Sequence, residues 1–232
     1  MSRTAVIHQP DFLPYLGFFD RLLHADVFVL LDTAQYVNAT SRSWTNRDKI
    51  KTPQGERWIT VSVGSAPHGT PINRIALSDK VDWRANHLNL LQANYRKAAY
   101  FAEIYPRLAA LYAQPTGLLA DFNRASIELL LDLFDIRIEI VLASALKATG
   151  RSNELLVTIL QEVGATRYLS GVGARDYFRP EPFAAAGIEV TWQDFSHPEY
   201  PQLHGPFIPY LSGIDLLFNC GIARSRDILR KR

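Results

Sequence analysis

The first 32 residues constrain the fold most, because their pattern alternates between strand, helix and strand. Residues 4–7 are rich in β-forming types, and apolar residues then recur at helical spacing over 13–23. The run over 26–32 is continuously apolar between two acids, which is typical of a strand buried on both faces of a parallel sheet. Together these segments predict a βαβ unit with a right-handed crossover.

Alternation of strands and helices returns in the final third of the chain, after a helical middle. Ser152 is the expected N-cap of its helix, Gly164 is an expected helix stop, and a helix interruption is expected near Gly221. Residues 35–54 form a polar stretch, and 64–70 has the composition of an exposed loop. The pattern predicts strands at 58–63, 138–142, 167–170 and 188–192, and helices at about 82–96, 102–113, 116–134, 152–163, 182–186 and 215–230.

This order of elements predicts one α/β domain over residues 1–232. Its core is expected to be a mainly parallel sheet built from both ends of the chain. The helices at about 82–134 are expected to form a helical subdomain within it, as a central insertion or cap.

Composition and charge favour an ordinary globular protein and exclude several classes. Hydrophobic residues make up 47% and charged residues 21% of the chain, and the net charge is only +2. No signal-peptide pattern and no apolar run of membrane-spanning length occur, so a cytoplasmic protein without membrane attachment is expected. The basic end of the chain is interpreted as solvated rather than as a nucleic-acid site; it comprises Arg224, Arg226, Arg230, Lys231 and Arg232.

Several kinds of site are excluded or disfavoured. The single cysteine, Cys220, rules out an intrachain disulfide, and a buried, unreactive thiol is favoured over a Cys–His nucleophile. The sequence lacks a Walker loop, a dinucleotide fingerprint in its strand–turn–helix context, and a nucleophile elbow. It has no pair of histidines at metal-ligand spacing, so no metal site is expected.

Polar side chains gather in four sets, each at a predicted strand end or in the loop after it. Since the carboxyl ends of parallel strands meet at one edge, where open α/β sheets bind ligands, all four sets are expected to converge. The sets are His8, Gln9 and Asp11; Asp32, Gln35, Tyr36 and the run Trp44-Thr45-Asn46-Arg47; Ser170-Gly171-Val172-Gly173 with Arg175, Asp176 and Tyr177; and His197, Glu199, Tyr200, Gln202, Phe207, Ser212, Asp215 and Asn219.

A structural interpretation stays open beside the functional one. Asp215 lies within an apolar helix, and a buried carboxylate needs a partner, for which Arg47 or His197 is expected. That pairing could be structural as well as catalytic. The other structural alternatives are a hydrogen-bonded strand end for His8, a cap for Asp32, a tight turn for Ser170-Gly171-Val172-Gly173, and a packed surface pair for Trp44 and Arg47.

Several motifs occur in one order along the chain, and they carry a family resemblance. They are Ile7-His8-Gln9-Pro10 with Leu13-Pro14-Tyr15-Leu16-Gly17-Phe18-Phe19-Asp20, Gln35-Tyr36, Trp44-x-Asn46-Arg47, Tyr168-Leu169-Ser170-Gly171 with Gly173-Ala174, His197-Pro198-x-Tyr200-x-Gln202, and Phe207-x-Pro209-x-Leu211-Ser212-x-x-Asp215-x-Leu217-Phe218-Asn219-x-Gly221. With these motifs the chain resembles the WbqC-like family, bacterial proteins encoded mainly in O-antigen and other surface-polysaccharide clusters. The resemblance spans nearly the whole chain and departs after Asp32, where Thr33 stands in place of an expected second acid.

The resemblance implies a transferase that attaches an acyl or aminoacyl group to an amine. The acceptor would be an amino sugar, including a nucleotide-linked one, or another small molecule. The implied donor is a phosphopantetheine thioester on an acyl or peptidyl carrier protein. Aminolysis of a thioester needs a base for the amine proton and donors for the developing oxyanion, and an imidazole with a pKa near neutrality suits the base.

Roles in this reaction follow for members of the four sets. His8 is the expected base, with Gln9 and Asn46 as donors that orient the carbonyl group. Arg47 would hold a phosphate or carboxylate, and Asp215 would orient a cation or a histidine. Acceptor binding is expected from His197, Tyr200 and Gln202, and further substrate contacts from Asp11, Tyr15, Gln35, Tyr36, Trp44, Ser170, Gly171 and Asn219.

A second resemblance concerns the fold. The strand, the turn with His8, the glycine, the helix and the apolar strand ending in Asp32 are similar to the opening of HIGH-type nucleotidyltransferases and pantothenate synthetase. The turn is longer here and lacks the second histidine of that signature, so this resemblance implies the Rossmann-like fold and not the ATP site. An ATP-dependent nucleotidyltransferase or ligase that uses this cleft is kept as the alternative function. A non-enzymatic sugar- or carrier-binding accessory protein is a second alternative.

Overall fold

The computed structural model describes residues 2–37 and 43–231 and divides the chain into two compact units. Residues 38–42 of the predicted polar stretch and Arg232 of the basic end lie outside the described residues. The first unit contains Met1–Gln9, Gly17–Ala34 and Ile136–Ser196, and the second contains Pro10–Leu16, Gln35–Asp135 and His197–Arg232.

Strands and helices alternate at both ends of the chain, and helices fill its middle. Short 3-10 turns lie at Ile72–Arg74, Ala143–Ala145 and Val172–Tyr177. The longer elements are β1 (Thr4–His8), α1 (Leu16–Leu23), β2 (Val27–Leu30), β3 (Arg47–Thr52), β4 (Gly55–Thr60), α2 (Trp83–Tyr95), α3 (Phe101–Tyr112), α4 (Leu119–Phe134), β5 (Glu139–Leu142), α5 (Ser152–Glu162), β6 (Arg167–Ser170), α6 (Pro180–Ala185), β7 (Glu189–Trp192) and α7 (Gly213–Arg230).

The first unit is built on a five-stranded parallel sheet in the order β5-β2-β1-β6-β7. All four residues of β2 are buried between two parallel neighbours, which explains the continuously apolar run in the sequence. A core cluster joins Ile7 and Val29 of the sheet to Ile159 and Leu160 of α5. The Rossmann-like α/β fold predicted from the sequence is therefore confirmed.

The order of the strands reverses next to β1, which is the central strand. From β1 the chain moves outward through β2 and β5 on one side, and through β6 and β7 on the other. Because β1 and β6 are adjacent and parallel, their carboxyl ends lie side by side at the point of reversal. In open α/β sheets this switch point is the place where ligands bind.

The second unit combines α2, α3, α4 and α7 with an antiparallel hairpin of β3 and β4. Its core contains Phe122 and Leu130 of α4, and Tyr95 of α2 stacks on Phe218 of α7 with 4.6 Å between ring centroids. The helices predicted in the middle of the chain are confirmed as α2, α3 and α4. Among the described residues, no helix is both long and apolar enough to cross a membrane.

The hairpin corrects two predictions. Part of the predicted polar stretch forms β3, and the strand predicted at 58–63 begins earlier, as β4. In β3, the partly exposed Arg47 and Lys49 alternate with the buried Asp48 and Ile50. This period-two pattern was obscured because charged residues occupy both faces of the strand.

Two helix starts also differ from prediction. α1 begins at Leu16 rather than at 13, because Leu13 adopts a left-handed φ of 42° and precedes a proline, which disfavours helical backbone. Ser152 is not an N-cap: it lies in the first turn of α5 with a φ of 51°, and Arg151 takes the cap position without a side-chain hydrogen bond.

The predicted stop and interruption are confirmed. Gly164 follows α5 with a left-handed φ of 67°. Gly221 breaks the helical geometry inside α7 with φ 72° and ψ 173°. A Cβ at this position would lie 2.5 Å from atoms of the Tyr100 ring, so the break requires glycine for both backbone and space.

His87 of α2 is a buried histidine that the second unit keeps neutral. Its Nε2 donates to the Thr60 carbonyl oxygen at 3.0 Å, and its Nδ1 lies 3.0 Å from the Tyr112 hydroxyl, which then donates to it. Burial lowers the pKa of His87 to about 4, and the bond to Thr60 opposes this shift.

Acid is expected to destabilise the fold as the pH falls from 6.5 towards 4. The unfolded chain binds a proton at His87 in this range and the folded protein does not, so this contribution to stability is complete above pH 6.5 and is lost below it. Urea unfolding from pH 7 to 4 measures the slope, and His87→Gln should flatten it. His24→Gln, at an exposed position, is the control. The same slope in His87→Gln and the wild type would contradict this assignment.

Candidate functional site

The switch point of the first unit collects side chains from two of the four predicted sets. β1 ends at His8 and continues into Gln9, and β6 ends at Ser170 and continues into Gly171. Because the two strands are neighbours in the sheet, these residues lie at adjacent strand ends. The structure thus places His8 and Gln9 of the first set next to Ser170 and Gly171 of the third set.

His8 is held as a neutral imidazole. Its Nδ1 donates to the Gln9 carbonyl oxygen at 3.0 Å, and its ring meets Phe18 edge to face at 5.2 Å. Burial and the charge of Arg21 lower its pKa to about 3, against the opposing effect of the Gln9 bond. The expectation that His8 has a pKa near neutrality is therefore wrong, and its imidazole is a weaker base than an ordinary histidine. Because Nδ1 carries the proton, the lone pair that can accept a proton is on Nε2.

Arg21 is a residue of the switch point that sequence reasoning missed. It lies on α1 and is 4% exposed. A Cβ at Gly171 would lie 2.9 Å from Arg21 Nη1, so the glycine leaves room for the guanidinium beside the loop after β6. Next to it, Gln193 Nε2 donates to Asp20 Oδ2 at 2.8 Å. Helical periodicity cannot distinguish a charged face buried in this way from a solvated one.

The His8 ring is expected not to titrate between pH 5 and 8, since its pKa lies near 3. Arg21→Gln removes a neighbouring positive charge and should raise this pKa, because the imidazolium is then repelled less. Nitrogen-15 NMR of the histidine rings measures both values, with His24→Gln used to remove the signal of an exposed histidine. Titration of His8 near pH 6.5 in the wild type would contradict the assignment.

Asp32 follows β2 and has a structural contact. Its Oδ1 accepts from the Ser144 backbone N–H at 2.9 Å, and its Oδ2 accepts from the Ser144 hydroxyl at 2.6 Å. The carboxylate thereby ties the end of β2 to the 3-10 turn after β5. This contact supports the structural alternative for Asp32.

In the second unit, Tyr36, Trp44 and Arg47 of the second set lie near the start of the hairpin. The Arg47 guanidinium lies 4.2 Å from the Trp58 ring centroid, and the Trp44 and Trp58 centroids are 5.1 Å apart. Burial raises the pKa of Tyr36, and the nearby charge of Arg47 opposes the shift. Gln35 is exposed, with its Nε2 3.1 Å from Nε2 of His68.

Asn46 is buried, and of its two amide atoms only the nitrogen makes a hydrogen bond within the part of the chain that the structure describes. Its Nδ2 donates to the Val61 carbonyl oxygen at 3.3 Å, which fixes the orientation of the amide. Its Oδ1 is buried and has no hydrogen-bond partner among the described residues. A buried polar atom of this kind calls for an explanation. The Asn46 Oδ1 can only accept a hydrogen bond, so it suits an N–H or O–H group of a ligand. The role predicted for Asn46 was instead to donate to a carbonyl oxygen.

Asp48 is a second residue that sequence reasoning missed. It is 1% exposed, and its Oδ1 accepts from the Lys49 backbone N–H at 2.6 Å. Burial, with the charge of Asp11 as a further contribution, holds the pKa of Asp48 well above its usual range. Burial and a neighbouring acid both favour the protonated form of a carboxyl, and groups with a pKa perturbed in this way cluster at functional sites. The period-two alternation of β3 could have revealed its inward position.

Asp215 lies in the first turn of α7 and is fully buried. The Tyr95 hydroxyl donates to its Oδ2 at 2.7 Å, and Asn219 Nδ2 lies 3.3 Å from its Oδ1. Burial raises the pKa of Asp215, and the hydrogen bond from Tyr95 and the charge of Lys51 oppose this shift. The expectation that Arg47 or His197 would be its partner is therefore wrong.

Lys51 of β3, whose charge acts on this carboxylate, bonds to the segment before α7. It is 1% exposed, and its Nζ donates to Gln202 Oε1 at 3.0 Å and to the carbonyl oxygens of Gly205 and Pro206 at 3.2 and 2.5 Å. Gln202 Nε2 in turn donates to the Ile208 carbonyl oxygen at 3.0 Å. Through these contacts Gln202 binds other residues of the protein, Lys51 and Ile208. Its binding of substrate stays a prediction.

Two residues of the fourth set, His197 and Phe207, lie in an aromatic cluster with Tyr210. His197 lies 5.3 Å from Tyr210 and 5.6 Å from Phe207 by ring centroids, and Tyr15 lies 6.1 Å from Tyr210. Tyr210 is 50% exposed. Within the second unit, Tyr15 and His197 are thus joined through Tyr210, as candidates for contact with a ligand.

Two other expectations concern reactive groups. Cys220 is buried in α7, and burial raises its pKa, which disfavours the thiolate. Among the described residues, no group of three or more histidines, cysteines, aspartates or glutamates is arranged to hold a metal ion. The convergence of all four sets stays a prediction.

The parallel sheet, with polar side chains at its switch point, defines an α/β protein with a Rossmann-like unit. The model of the WbqC-like protein family matches residues 9–227, and the chain belongs to that family. It is 36% identical over 232 residues to an uncharacterized protein of Mycobacterium tuberculosis, an alignment that covers 99% of this chain and 98% of that protein. No solved structure matches the chain.

Proposed function

We propose that the protein transfers an acyl or aminoacyl group to the amino group of an amino sugar or another small amine. The donor is a thioester on the phosphopantetheine arm of a carrier protein, and the product is an amide. Membership of the WbqC-like family supports this proposal, because the resemblance to that family implies a transferase of this kind.

The observation that carries the proposal is the neutral imidazole of His8 at the switch point. Burial and Arg21 keep His8 deprotonated at neutral pH, so none of the protein is lost to the imidazolium form. Its low basicity reduces the driving force for proton transfer, and this is offset in part because the amine nitrogen becomes more acidic once it bonds to the carbonyl carbon.

The proposed step balances without a further reactant. The amine nitrogen attacks the thioester carbonyl carbon, the C–N bond forms and the C–S bond breaks. The proton of the amine passes to His8 Nε2 and then to the departing thiolate. The oxygen that becomes negative needs a donor, and the Gln9 amide is proposed for that role. The roles predicted for Asn46, Arg47 and the other members of the second unit stay predictions.

A mass-spectrometric assay tests the proposal. Purified protein is incubated with aminoacyl-loaded carrier protein and a panel of amines that includes nucleotide-linked amino sugars. Transfer of the aminoacyl mass from carrier to amine is expected. If instead the protein releases pyrophosphate from ATP and magnesium, the ligase alternative holds. Ligand binding without turnover on any donor would favour an accessory protein, and both results reject the transferase.

A further inference from the structure

Three side chains with acceptor oxygens gather inside the second unit, at the start of the β3–β4 hairpin. The first, Asn46, lies directly before β3, and the Val61 backbone N–H donates to its carbonyl oxygen at 2.7 Å, which continues the pairing of the strands. The second is Asp48. Because residues two apart on a strand point to the same face, Asn46 and Asp48 share one face of the hairpin, where they are 2% and 1% exposed.

Asn123 of α4 is the third side chain, and its amide is fixed at the same place. Its Nδ2 donates to the Thr45 carbonyl oxygen at 2.5 Å and to the Pro10 carbonyl oxygen at 2.6 Å, and the residue is fully buried. Since Thr45 precedes Asn46 in the chain, α4 holds this amide against the start of the hairpin. The residues Asn46, Asp48 and Asn123 are called the oxygen cluster below.

Two acceptors of the oxygen cluster are unused by the protein itself. Oδ1 of Asn46 and Oδ1 of Asn123 are both buried, and neither has a hydrogen-bond partner within residues 2–37 and 43–231. In both amides the nitrogen is engaged with backbone carbonyl oxygens, so a flip that exchanges nitrogen and oxygen would lose those bonds. An unpaired buried oxygen destabilises a folded protein, and two of them here favour the binding of a donor from outside the chain.

The carboxyl group of the oxygen cluster lies in surroundings that favour a positive ligand. Burial raises the pKa of Asp48 well above its usual range and the charge of Asp11 adds to this shift, whereas the backbone N–H and the charge of Lys49 oppose it. Asp11 is 9% exposed, so this acidic region reaches the surface. A buried carboxylate is costly unless a positive group accompanies it, and a cation beside Asp48 would therefore favour the ionised carboxylate and be held by it.

Acceptor oxygens together with a negative charge match one chemical group. A primary ammonium group has three N–H donors, no acceptor and a positive charge, so it can satisfy every member of the oxygen cluster at once. A water molecule or a hydroxyl group offers fewer donors and leaves the carboxylate without a counter-charge.

We propose that the oxygen cluster binds a primary ammonium group of a substrate. Oδ1 of Asn46 and Oδ1 of Asn123 each accept from one N–H, and the Asp48 carboxylate accepts from the third and balances the charge. This inference rests on the proposed function, in which both substrates can carry such a group. It can belong to the acceptor amine, which must then give one proton to the Asp48 carboxylate before it attacks, or to an aminoacyl group on the donor, whose ammonium takes no part in the reaction.

Isothermal titration of the whole protein at pH 7 with glucosamine and with glycinamide tests the inference. Glucosamine stands for an amino-sugar acceptor and glycinamide for an aminoacyl group, and glucose and acetamide are their uncharged counterparts. At least one amine should bind about tenfold or more tightly than its counterpart, because hydrogen bonds between charged groups are the strong ones. Preference for glucosamine identifies an acceptor site, and preference for glycinamide identifies a donor site.

Asp48→Asn keeps the size of the side chain and an oxygen that can accept from the Lys49 backbone N–H, but it removes the negative charge. We expect this variant to weaken amine binding by about tenfold or more. Asp121→Asn is the matched control, because Asp121 is an exposed aspartate of α4, two residues from Asn123, and it should leave the affinity unchanged. Circular dichroism shows whether each variant is folded.

Three results overturn the inference: no binding of either amine, equal affinity for each amine and its uncharged counterpart, or equal affinity of folded Asp48→Asn and Asp121→Asn for the amine. The first two results come from the wild-type protein, so the inference can be rejected even if Asp48→Asn does not fold.

The fate of the transferase proposal is separate. Amine binding that Asp48→Asn weakens, with no amide product in the mass-spectrometric assay, rejects the transferase and keeps the ammonium site. Amide formation that Asp48→Asn leaves unchanged, together with no preference for the charged ligand, rejects the ammonium site and keeps the transferase.

Discussion

Replacement of His8 by alanine is expected to lower turnover by about a hundred- to ten-thousandfold and to leave the protein folded, because a positioned proton acceptor typically contributes that much to rate. His8 lies at the carboxyl end of the central strand, where its side chain is partly buried and touches Phe18. Alanine removes the imidazole but keeps the backbone pairing of β1. Turnover is measured in the carrier-protein assay, and folding by circular dichroism.

The pH profile distinguishes the role of His8 from that of an ordinary histidine base. Since its pKa is about 3, turnover should show no inflection from His8 between pH 5 and 8. His24→Ala, at an exposed position near the end of α1, is the control and should retain activity. A folded His8→Ala variant with the turnover of the wild type would show that another group takes the proton.

Replacement of Lys51 by methionine is expected to lower the free energy of unfolding by about 1–3 kcal/mol or more, the usual effect of leaving buried acceptors without their charged donor. Methionine would leave Gln202, Gly205 and Pro206 without the donor that all three share. It would also remove the positive charge that favours ionised Asp215. Urea unfolding at pH 7 gives the magnitude.

Lys49→Met is the matched control, on the same strand but in a partly exposed pair with Glu56. Exposed pairs contribute about 1 kcal/mol or less, so this variant should be much the more stable of the two. In the double variant with Asp215→Asn, the loss should be smaller than the sum of the single losses, because the two groups interact. Equal stability of the two lysine variants would contradict the assigned role of Lys51.

Local patterns in the sequence correctly indicate the elements whose burial is simple. β2 is recognised because all four of its residues are buried, and the break in α7 because Gly221 interrupts an apolar helical repeat. β3 escapes recognition because Asp48 and Lys51 are buried polar residues, and a strand with charge on both faces resembles a loop. Sequence periodicity reports burial only where buried residues are apolar.

For the candidate site, the sequence indicates which residues matter and not what surrounds them. It identifies His8 at a strand end, but the depressed pKa depends first on burial and then on Arg21, a residue of the following helix that approaches only in the folded protein. It indicates that Asp215 needs a partner, but Tyr95 and Lys51 come from α2 and β3, more than a hundred residues earlier.

The sequence by itself determined the alternation of strands and helices, the family, and the position of His8 after the first strand, because each depends on residues close together in the chain. The tertiary structure decided the strand order with its switch point, the neutral state of His8, and the network that holds Asp215. It also decided the pairing that sets Lys49 beside Trp58. These features depend on dielectric surroundings and on contacts between distant segments, neither of which a local pattern specifies.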